Sequence, residues 1–253
     1  MKKITKIALA TSMAFAFNVS AGGDVHWGYE GENGPEHWGD LSHDFETCKT
    51  GLEQSPIDLG EFADEDDDLP TLKHKFNPTP LTVVNNGHTV QVNVDNGSKT
   101  VTEFGAQRLL QYHFHSPSEN TVDGQSYPLE AHFVHINDDG TLSVVGVFYK
   151  EGEENQALAK ILHTAPDHEG SASAEGETID GNDVLGKGRS GRYYRFAGSL
   201  TTPPCTEGVR WYVSQKVQQV SAEQIEEFQH LFHGGNARPV QPLNNRTLFT
   251  TED

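Results

Sequence analysis

The sequence predicts a mainly β (α+β) protein with a single domain. Short runs in which apolar and polar side chains alternate recur along the chain, as at residues 90–94, and this period of two is typical of half-buried strands. Turn residues separate the runs, with 25 glycines and 12 prolines among 253 residues. Only two segments show helical spacing, and there is neither an internal repeat nor a clear domain linker.

The N-terminal segment, residues 1–21, is predicted to be a secretory signal peptide. Lysines precede an apolar run at 7–17, and Ala21 ends a stretch of small residues suited to cleavage. The run is too short to span a bilayer stably, and no second long apolar run follows. We therefore expect a soluble domain over residues 22–253, periplasmic or secreted, with no membrane contact after cleavage.

The charge of the chain bears on its partners. Its formal net charge is −19, which argues against nucleic acid or an anionic membrane as a partner. The simplest explanation of the acidity is that acidic residues on the surface keep the protein soluble.

Two cysteines are present, Cys48 and Cys205. In an exported protein such a pair suggests one disulfide, and the alternative is two free buried thiols. With no cysteine left over, a disulfide-linked dimer is disfavoured, so we expect a monomer or a non-covalent homodimer.

The elements follow in order along the chain. Strands are predicted at 81–84, 90–94, 109–115, 129–136, 142–149, 193–196 and 209–213. Helices are predicted at 156–162 and 222–232, the second with Ser221 as N-cap and Gln224 at its third position. The Gly-, Ser- and acid-rich stretch 166–191 is predicted to be an excursion loop, and the tail at 238–242 to be irregular.

Three histidines suggest a metal site. His113 and His115 are two residues apart in a predicted strand and therefore share one of its faces. His132 lies in the next predicted strand, so the three imidazoles can converge if the two strands pair. Three protein nitrogens with an open fourth position are typical of a catalytic zinc.

Two further side chains suit such a site. Gln111 lies two residues before His113, and Glu130 two residues before His132, so each can orient an imidazole from the same strand face. His135 has the opposite parity to His132 and is predicted to be a buried structural histidine.

Several motifs together resemble the α-class carbonic anhydrases, in particular the exported bacterial members. They are NGPEHW at 33–38, QSPID at 54–58, NNGH at 85–88, QYHFH at 111–115, SENTVD at 118–123, EAHFVH at 130–135, GSLTTPP at 198–204 and RPVQP at 238–242. The resemblance implies one domain around a large, twisted, mostly antiparallel sheet with a few short surface helices, and Zn²⁺ in a conical cleft.

The resemblance also implies roles for the residues at the zinc. His113, His115 and His132 would be the metal ligands, with water or hydroxide in the fourth position. In carbonic anhydrases zinc lowers the pKa of this water to about 7. Thr201 would accept a hydrogen bond from the hydroxide and donate its own proton to an ionised Glu119.

The substrate pocket and the proton path also follow from the resemblance. An apolar wall for CO2 would be formed by Val134, Val144, Leu200, Thr202, Val209 and Trp211, although plain core packing is equally consistent with the sequence. His88 would carry protons between the zinc site and bulk solvent. Tyr29, Asn86 and Gln91 would order the water between them.

The expected activity is the reversible hydration of CO2 to bicarbonate and a proton, with an accessory esterase activity plausible. One alternative is a binding module that keeps this fold without catalysis, but such a module typically lacks zinc histidines. Another is a periplasmic zinc-buffering protein, although the remaining histidines are scattered.

Overall fold

The computed structural model describes residues 25–60, 63–186 and 191–251, and the predicted signal peptide lies outside these ranges. The described chain is dominated by a large twisted sheet with a few short helices, which confirms the predicted fold class.

The elements are numbered in chain order. The strands are β1 (Asp58–Leu59), β2 (Asp64–Glu65), β3 (Lys73–Lys75), β4 (Thr79–Asn85), β5 (Val90–Asn93), β6 (Lys99–Thr102), β7 (Gly105–His115), β8 (Thr121–Val122), β9 (Leu129–Ile136), β10 (Leu142–Glu151), β11 (Gly170–Ile179), β12 (Tyr193–Ser199), β13 (Glu207–Val220) and β14 (Phe249–Thr250). The α-helices are α1 (Trp38–Leu41), α2 (Thr47–Thr50), α3 (Gln156–Thr164), α4 (Gly181–Leu185) and α5 (Ala222–Leu231).

Twelve of these strands form one sheet. Its main path runs β11-β4-β5-β7-β9-β10-β13-β12-β14-β2, with β3 and β6 attached beside β7. Two neighbouring pairs, β10 with β13 and β14 with β2, are parallel, and the other pairs in the sheet are antiparallel. The prediction of a mostly antiparallel sheet is therefore confirmed.

The two faces of β7 and β9 differ sharply in chemistry. Tyr112, Phe114 and Phe133 are fully buried on one face, in an apolar cluster shared with α3 and α5. Because successive side chains alternate, the neighbouring histidines lie on the opposite face. The packing of aromatic residues behind the strand, predicted from parity, is confirmed.

Most elements fall where the sequence places them. The strand predicted at 129–136 has those bounds, the strand predicted at 90–94 ends one residue earlier, and the others extend further at one or both ends. The capping box of α5 is present, because Ser221 accepts from the backbone of Gln224 and the Gln224 side chain accepts from the backbone of Ser221. The tail at 238–242 carries no regular element.

The predicted loop at 166–191 is wrong in its described part. Residues 170–179 form the edge strand β11, which pairs with β4, and α4 follows directly. Most of β11 is exposed, so its side chains are small or acidic, and no apolar alternation marks the strand. A register shift between Ser173 and Thr178 further obscures the pattern.

The described N-terminal segment, residues 25–57, contains only short helices. Cys48 and Cys205 form a disulfide, which confirms the predicted pairing. The fully buried Trp38 and Phe45 pack around it. Among the described residues, no helix has the length and apolar character needed to cross a bilayer.

Candidate metal centre

The three histidines predicted as metal ligands lie on adjacent strands of the sheet. In the register of β7 and β9, His113 faces His132 directly, and His115 faces Glu130. One nitrogen from each of the three imidazoles lies within 4.8 Å of the other two. His115 and His132 are buried, whereas His113 is partly exposed, so the cluster is open on one side. Three imidazoles at this spacing could hold a metal ion.

The second nitrogen of each imidazole faces an acceptor of the protein. The Nδ1–H groups of His113 and His115 donate to Gln111 Oε1 and to the Asn236 carbonyl, each at 2.8 Å. Nε2 of His132 lies 3.1 Å from Glu130 Oε1, at ion-pair distance but without a hydrogen bond. These acceptors assign the protons, so the lone pairs of His113 Nε2, His115 Nε2 and His132 Nδ1 remain for a ligand. Accordingly, the buried Nε2 of His115 has no hydrogen-bond partner.

The surroundings keep these imidazoles neutral. Burial lowers the pKa of all three, to about 4 for His115. For His113 and His132, neighbouring imidazoles of the cluster lower it further. Because a metal binds the neutral imidazole, these three side chains can bind a cation without first losing a proton.

Glu130 is held behind His132 by three donors. Its Oε2 accepts from the backbone N–H groups of Glu119 and Asn120 at 2.9 and 3.0 Å, and its Oε1 accepts from Asn120 Nδ2 at 2.8 Å. Burial raises the pKa of Glu130 to about 7, against the lowering effect of the bonds from Asn120. The carboxylate is therefore fixed in one orientation toward the imidazole.

Glu119 lies beside the cluster with one oxygen uncommitted. Its Oε1 accepts from the Arg238 backbone N–H at 2.9 Å. Its buried Oε2 has no hydrogen-bond partner and lies 3.4 Å from His115 Nε2. Burial raises the pKa of Glu119 to about 8, opposed by hydrogen bonds from Arg238 and from the Thr201 hydroxyl. A bound cation would favour the ionised form, so the donor set fits a metal such as Zn²⁺.

Thr201 is the hydroxyl predicted to act beside the metal. It is buried in the turn between β12 and β13. This turn is closed by backbone bonds from Cys205 to Thr202 and from Leu200 to Thr206. Thr201 lies close enough to Glu119, 82 residues earlier in the sequence, to lower the pKa of that carboxyl.

The apolar residues predicted to form the substrate wall gather beside His132. Trp211 packs edge-on against the His132 imidazole, with ring centroids 4.8 Å apart. The others of this set that lie in its apolar cluster are Val134, Val144, Val209 and the partly buried Leu200. Thr202 is half-buried in the neighbouring turn.

His88 lies in the turn between β4 and β5. Its imidazole stacks on Trp27, with ring centroids 3.6 Å apart and an interplanar angle of 8°. The Tyr29 ring is 6.5 Å away, and its buried hydroxyl has no protein partner. Burial raises the pKa of this hydroxyl, which therefore stays protonated.

The two amide side chains predicted for the proton path have protein partners. Asn86 Oδ1 accepts from the backbone of His88 and Thr89, which shapes the turn. Gln91 faces His113 across β5 and β7, and its Nε2 donates to Asn93 Oδ1 at 2.7 Å. Gln91 thus shares the sheet face of the metal histidines.

Four residues at the centre were not predicted as parts of it. Asn236, Arg238 and Asn120 act largely through backbone atoms or through amide groups that carry no distinctive spacing. Gly146 leaves room for Glu130, because a Cβ there would lie 3.0 Å from Glu130 Oε1. The motif RPVQP contained Arg238, but nothing in the sequence linked its N–H to Glu119.

Known proteins share both the sequence and this architecture. The profile of the eukaryotic-type carbonic anhydrases matches residues 33–252. A carbonic anhydrase of Pectobacterium atrosepticum is 43% identical over 244 residues, 96% of this chain and 98% of that protein. One of Neisseria gonorrhoeae is 41% identical over 250 residues, 98% and 97% of the two chains.

A solved structure agrees with these relatives. The α-carbonic anhydrase of Thermovibrio ammonificans, in complex with the inhibitor sulfanilamide, has a TM-score of 0.85 and 44% sequence identity. The match covers 91% of this chain and 100% of that one. The fold and the three-histidine centre thus define a metalloenzyme of the carbonic anhydrase type. The chain belongs to the eukaryotic-type, or α, carbonic anhydrase family, a family of lyases that hydrate CO2.

Proposed function

We propose that this chain hydrates CO2 reversibly to bicarbonate and a proton at a Zn²⁺ held by His113, His115 and His132. The observation that supports this most is that one nitrogen of each imidazole faces an acceptor of the protein, which leaves the three other nitrogens close together. Bound there, zinc supplies a water whose pKa is lowered to about 7, so a nucleophile is available at neutral pH.

Thr201 and Glu119 orient the nucleophile. Glu119 accepts the hydroxyl proton of Thr201, an interaction that also lowers the pKa of the carboxyl. With its proton directed to Glu119, the Thr201 oxygen can only accept a hydrogen bond on its other side. This leaves the nucleophile's lone pair free to face CO2, which is the gatekeeping role that we assign to the pair.

CO2 is bound by the apolar wall beside His132. Val134, Val144, Leu200, Val209 and Trp211 form a surface without charges next to the ligand cluster. Such a surface holds an apolar substrate and favours release of the charged product. Thr202 lies at its edge.

Proton transfer to bulk solvent is assigned to His88. Its imidazole stands on Trp27 in a turn at the surface, with the free hydroxyl of Tyr29 nearby. Water ordered by Tyr29, Asn86 and Gln91 would bridge His88 and the metal centre, because an imidazole that titrates near neutral pH can relay protons through water.

Stopped-flow measurement of CO2 hydration tests the metal assignment. The purified protein should bind one zinc per chain, lose activity when a chelator removes it, and regain activity on addition of zinc. Activity that survived complete zinc removal would overturn the assignment. Binding of several zinc ions per chain without hydration of CO2 would instead support a zinc-buffering protein.

A second measurement tests the shuttle. His88→Ala should turn over more slowly in weak buffer, by about tenfold or more, because the relay through the imidazole is lost. Added imidazole should restore part of the rate. An equal loss at every buffer concentration would contradict the role of His88.

We also propose that the enzyme is exported to the periplasm or the medium. The disulfide between Cys48 and Cys205 supports this, because such bonds persist in oxidising compartments. Fractionation of expressing cells, with N-terminal sequencing of the mature protein, tests both the location and cleavage after Ala21.

A further inference from the structure

The turn that carries His88 is fixed by the segment before β11. Asn85 Nδ2 donates to the Pro166 carbonyl at 3.0 Å, and Asn85 Oδ1 accepts from the Gly87 N–H at 3.0 Å. In the register of β4 and β11, Asn85 also pairs with Gly170. One buried asparagine therefore ties residues 166–170 to the turn.

Within that segment, Glu169 lies directly against the turn. Gly87 has a φ of +83°, and a Cβ there would lie 2.6 Å from Glu169 Oε1. The carboxylate thus occupies the space that a side chain at residue 87 would need. Glu169 is exposed, so its charge faces both the turn and bulk water.

The groups around His88 act on its proton affinity in opposite directions. Burial and the neighbouring His26 lower the pKa of His88, and the Glu169 carboxylate raises it. The other ring neighbours, Trp27 and Tyr29, contribute a stacked face and a hydroxyl but no charge. Among these described neighbours of the imidazole, the carboxylate is the one that favours the protonated ring.

We propose that Glu169 is a positioning residue of the proton exit, which stabilises the imidazolium of His88 and so keeps this histidine a competent proton acceptor. The proposal rests on the shuttle role of His88 in the proposed function. In the hydration direction, the imidazole takes one proton from the water chain and releases one to solvent or buffer. A carboxylate fixed beside the turn favours the first of these events, because it offsets the burial of the ring.

NMR titration of the His88 ring signals in the zinc-loaded protein is the direct test. Glu169→Gln should move the His88 titration to lower pH, whereas His26→Gln should move it to higher pH. Glu169→Asp, which keeps the charge, should give a smaller change than Glu169→Gln. The matched control is Glu175→Gln, which removes an equal charge from an exposed position in β11. A titration that moves no further in Glu169→Gln than in this control would overturn the proposal.

Kinetics connect the titration to turnover. In weak buffer near neutral pH, Glu169→Gln should lower kcat for hydration by about twofold, with kcat/KM unchanged, because proton transfer limits the first quantity only. Glu175→Gln should match the wild type. Unchanged kcat in Glu169→Gln together with a moved titration would also overturn the proposed role. If wild type and variants alike show no activity, the proposed function fails, while the titration still reports on the electrostatics.

Discussion

At the scale of single residues, the proposed mechanism gives the hydroxyl of Thr201 a role that a simple metal site would not need. Thr201 is buried, and it lowers the pKa of the neighbouring Glu119 carboxyl, whose Oε1 also accepts from the Arg238 N–H. Neither Thr201 nor Glu119 is among the three histidine ligands of the proposed site. Loss of the hydroxyl should therefore separate catalysis from metal binding.

Thr201→Ala should lower kcat/KM for CO2 hydration by about 100-fold while zinc content stays at one per chain. Thr201→Ser, which keeps the hydroxyl, should retain much of the activity and serves as the control. Stopped-flow assays and metal analysis of the same samples check both. Loss of zinc from Thr201→Ala would show that the residue supports the metal instead.

His135 illustrates a buried histidine with a structural role, as its parity predicts. Its Nδ1–H donates to the Phe133 carbonyl at 2.8 Å, so its Nε2 accepts the Thr100 hydroxyl proton at 2.9 Å. Thr100 has no second proton and therefore accepts from His74 Nδ1. Burial and, to a smaller extent, the neighbouring His74 lower the pKa of His135 to about 3.

This pKa predicts acid sensitivity of the fold. The unfolded chain binds a proton at His135 near pH 6.5, whereas the folded chain does so only near pH 3, so stability falls as the pH falls between them. The slope from this one group is about 1.4 kcal/mol per pH unit. His135→Gln does not titrate, so its free energy of unfolding, measured with urea at pH 4 to 7, should fall less steeply. Parallel slopes for wild type and variant would contradict this reading.

At the scale of elements, Gln224 joins two helices on the back of the sheet. Its Oε1 accepts from the backbone N–H of Ser221 and of Asn155, and its Nε2 donates to the Asn155 carbonyl. Asn155 in turn caps α3 through its side chain. The two N-termini, from segments 69 residues apart, thus share one buried amide.

Gln224→Ala should lower the free energy of unfolding by about 2 kcal/mol, because it leaves buried backbone groups of both helices unpaired. Ser221→Ala removes only the cap of α5 and should cost about 1 kcal/mol. Glu226→Ala, at an exposed position of the same helix, should be nearly neutral. Urea unfolding gives all three values, and equal losses for Gln224 and Ser221 would refute the shared role.

The accuracy of the sequence predictions follows from where each element is buried. β9 is buried along nearly all its length, and its apolar run gave its bounds correctly. β11 is an exposed edge strand that needs no apolar face, so its composition resembles that of a loop. The prediction ended β13 too early, because residues 215–219 are mostly polar and lie in its less buried part.

Some parts of the metal centre could also be predicted from the sequence, and others could not. The histidines and their partners Gln111 and Glu130 follow from the two-residue period of a strand, which is visible in the sequence. The bond from His115 to the Asn236 carbonyl spans 121 residues and uses a backbone atom. Every residue type offers that atom, so no pattern of side chains could have predicted it.

At the scale of the whole molecule, the disulfide belongs to a network that reaches the metal centre. The Arg238 guanidinium donates to the carbonyls of Cys48 and Ser55 at 2.9 and 2.7 Å, while its backbone N–H donates to Glu119. Gln54 donates to the Cys205 carbonyl at 3.0 Å. The cross-link thus holds together the N-terminal segment, the Thr201 turn and the C-terminal tail.

Replacement of Cys48 and Cys205 by serine should destabilise the protein by up to about 5 kcal/mol, the chain-entropy figure for a span of 157 residues. Urea unfolding of this variant and of the reduced wild type should give similar midpoints, both below that of the oxidised protein. Identical stability of all three forms would show that the cross-link contributes nothing.

The position of Arg238 near the end of the chain also bears on the order of assembly. The strands that carry His113, His115 and His132 are complete by residue 136, whereas Asn236 and Arg238, which fix His115 and Glu119, come about 100 residues later. A chain emerging from synthesis or export therefore has its metal ligands well before the groups that hold them rigid. We expect zinc capture to precede catalytic competence, with the last residues of the tail completing the enzyme.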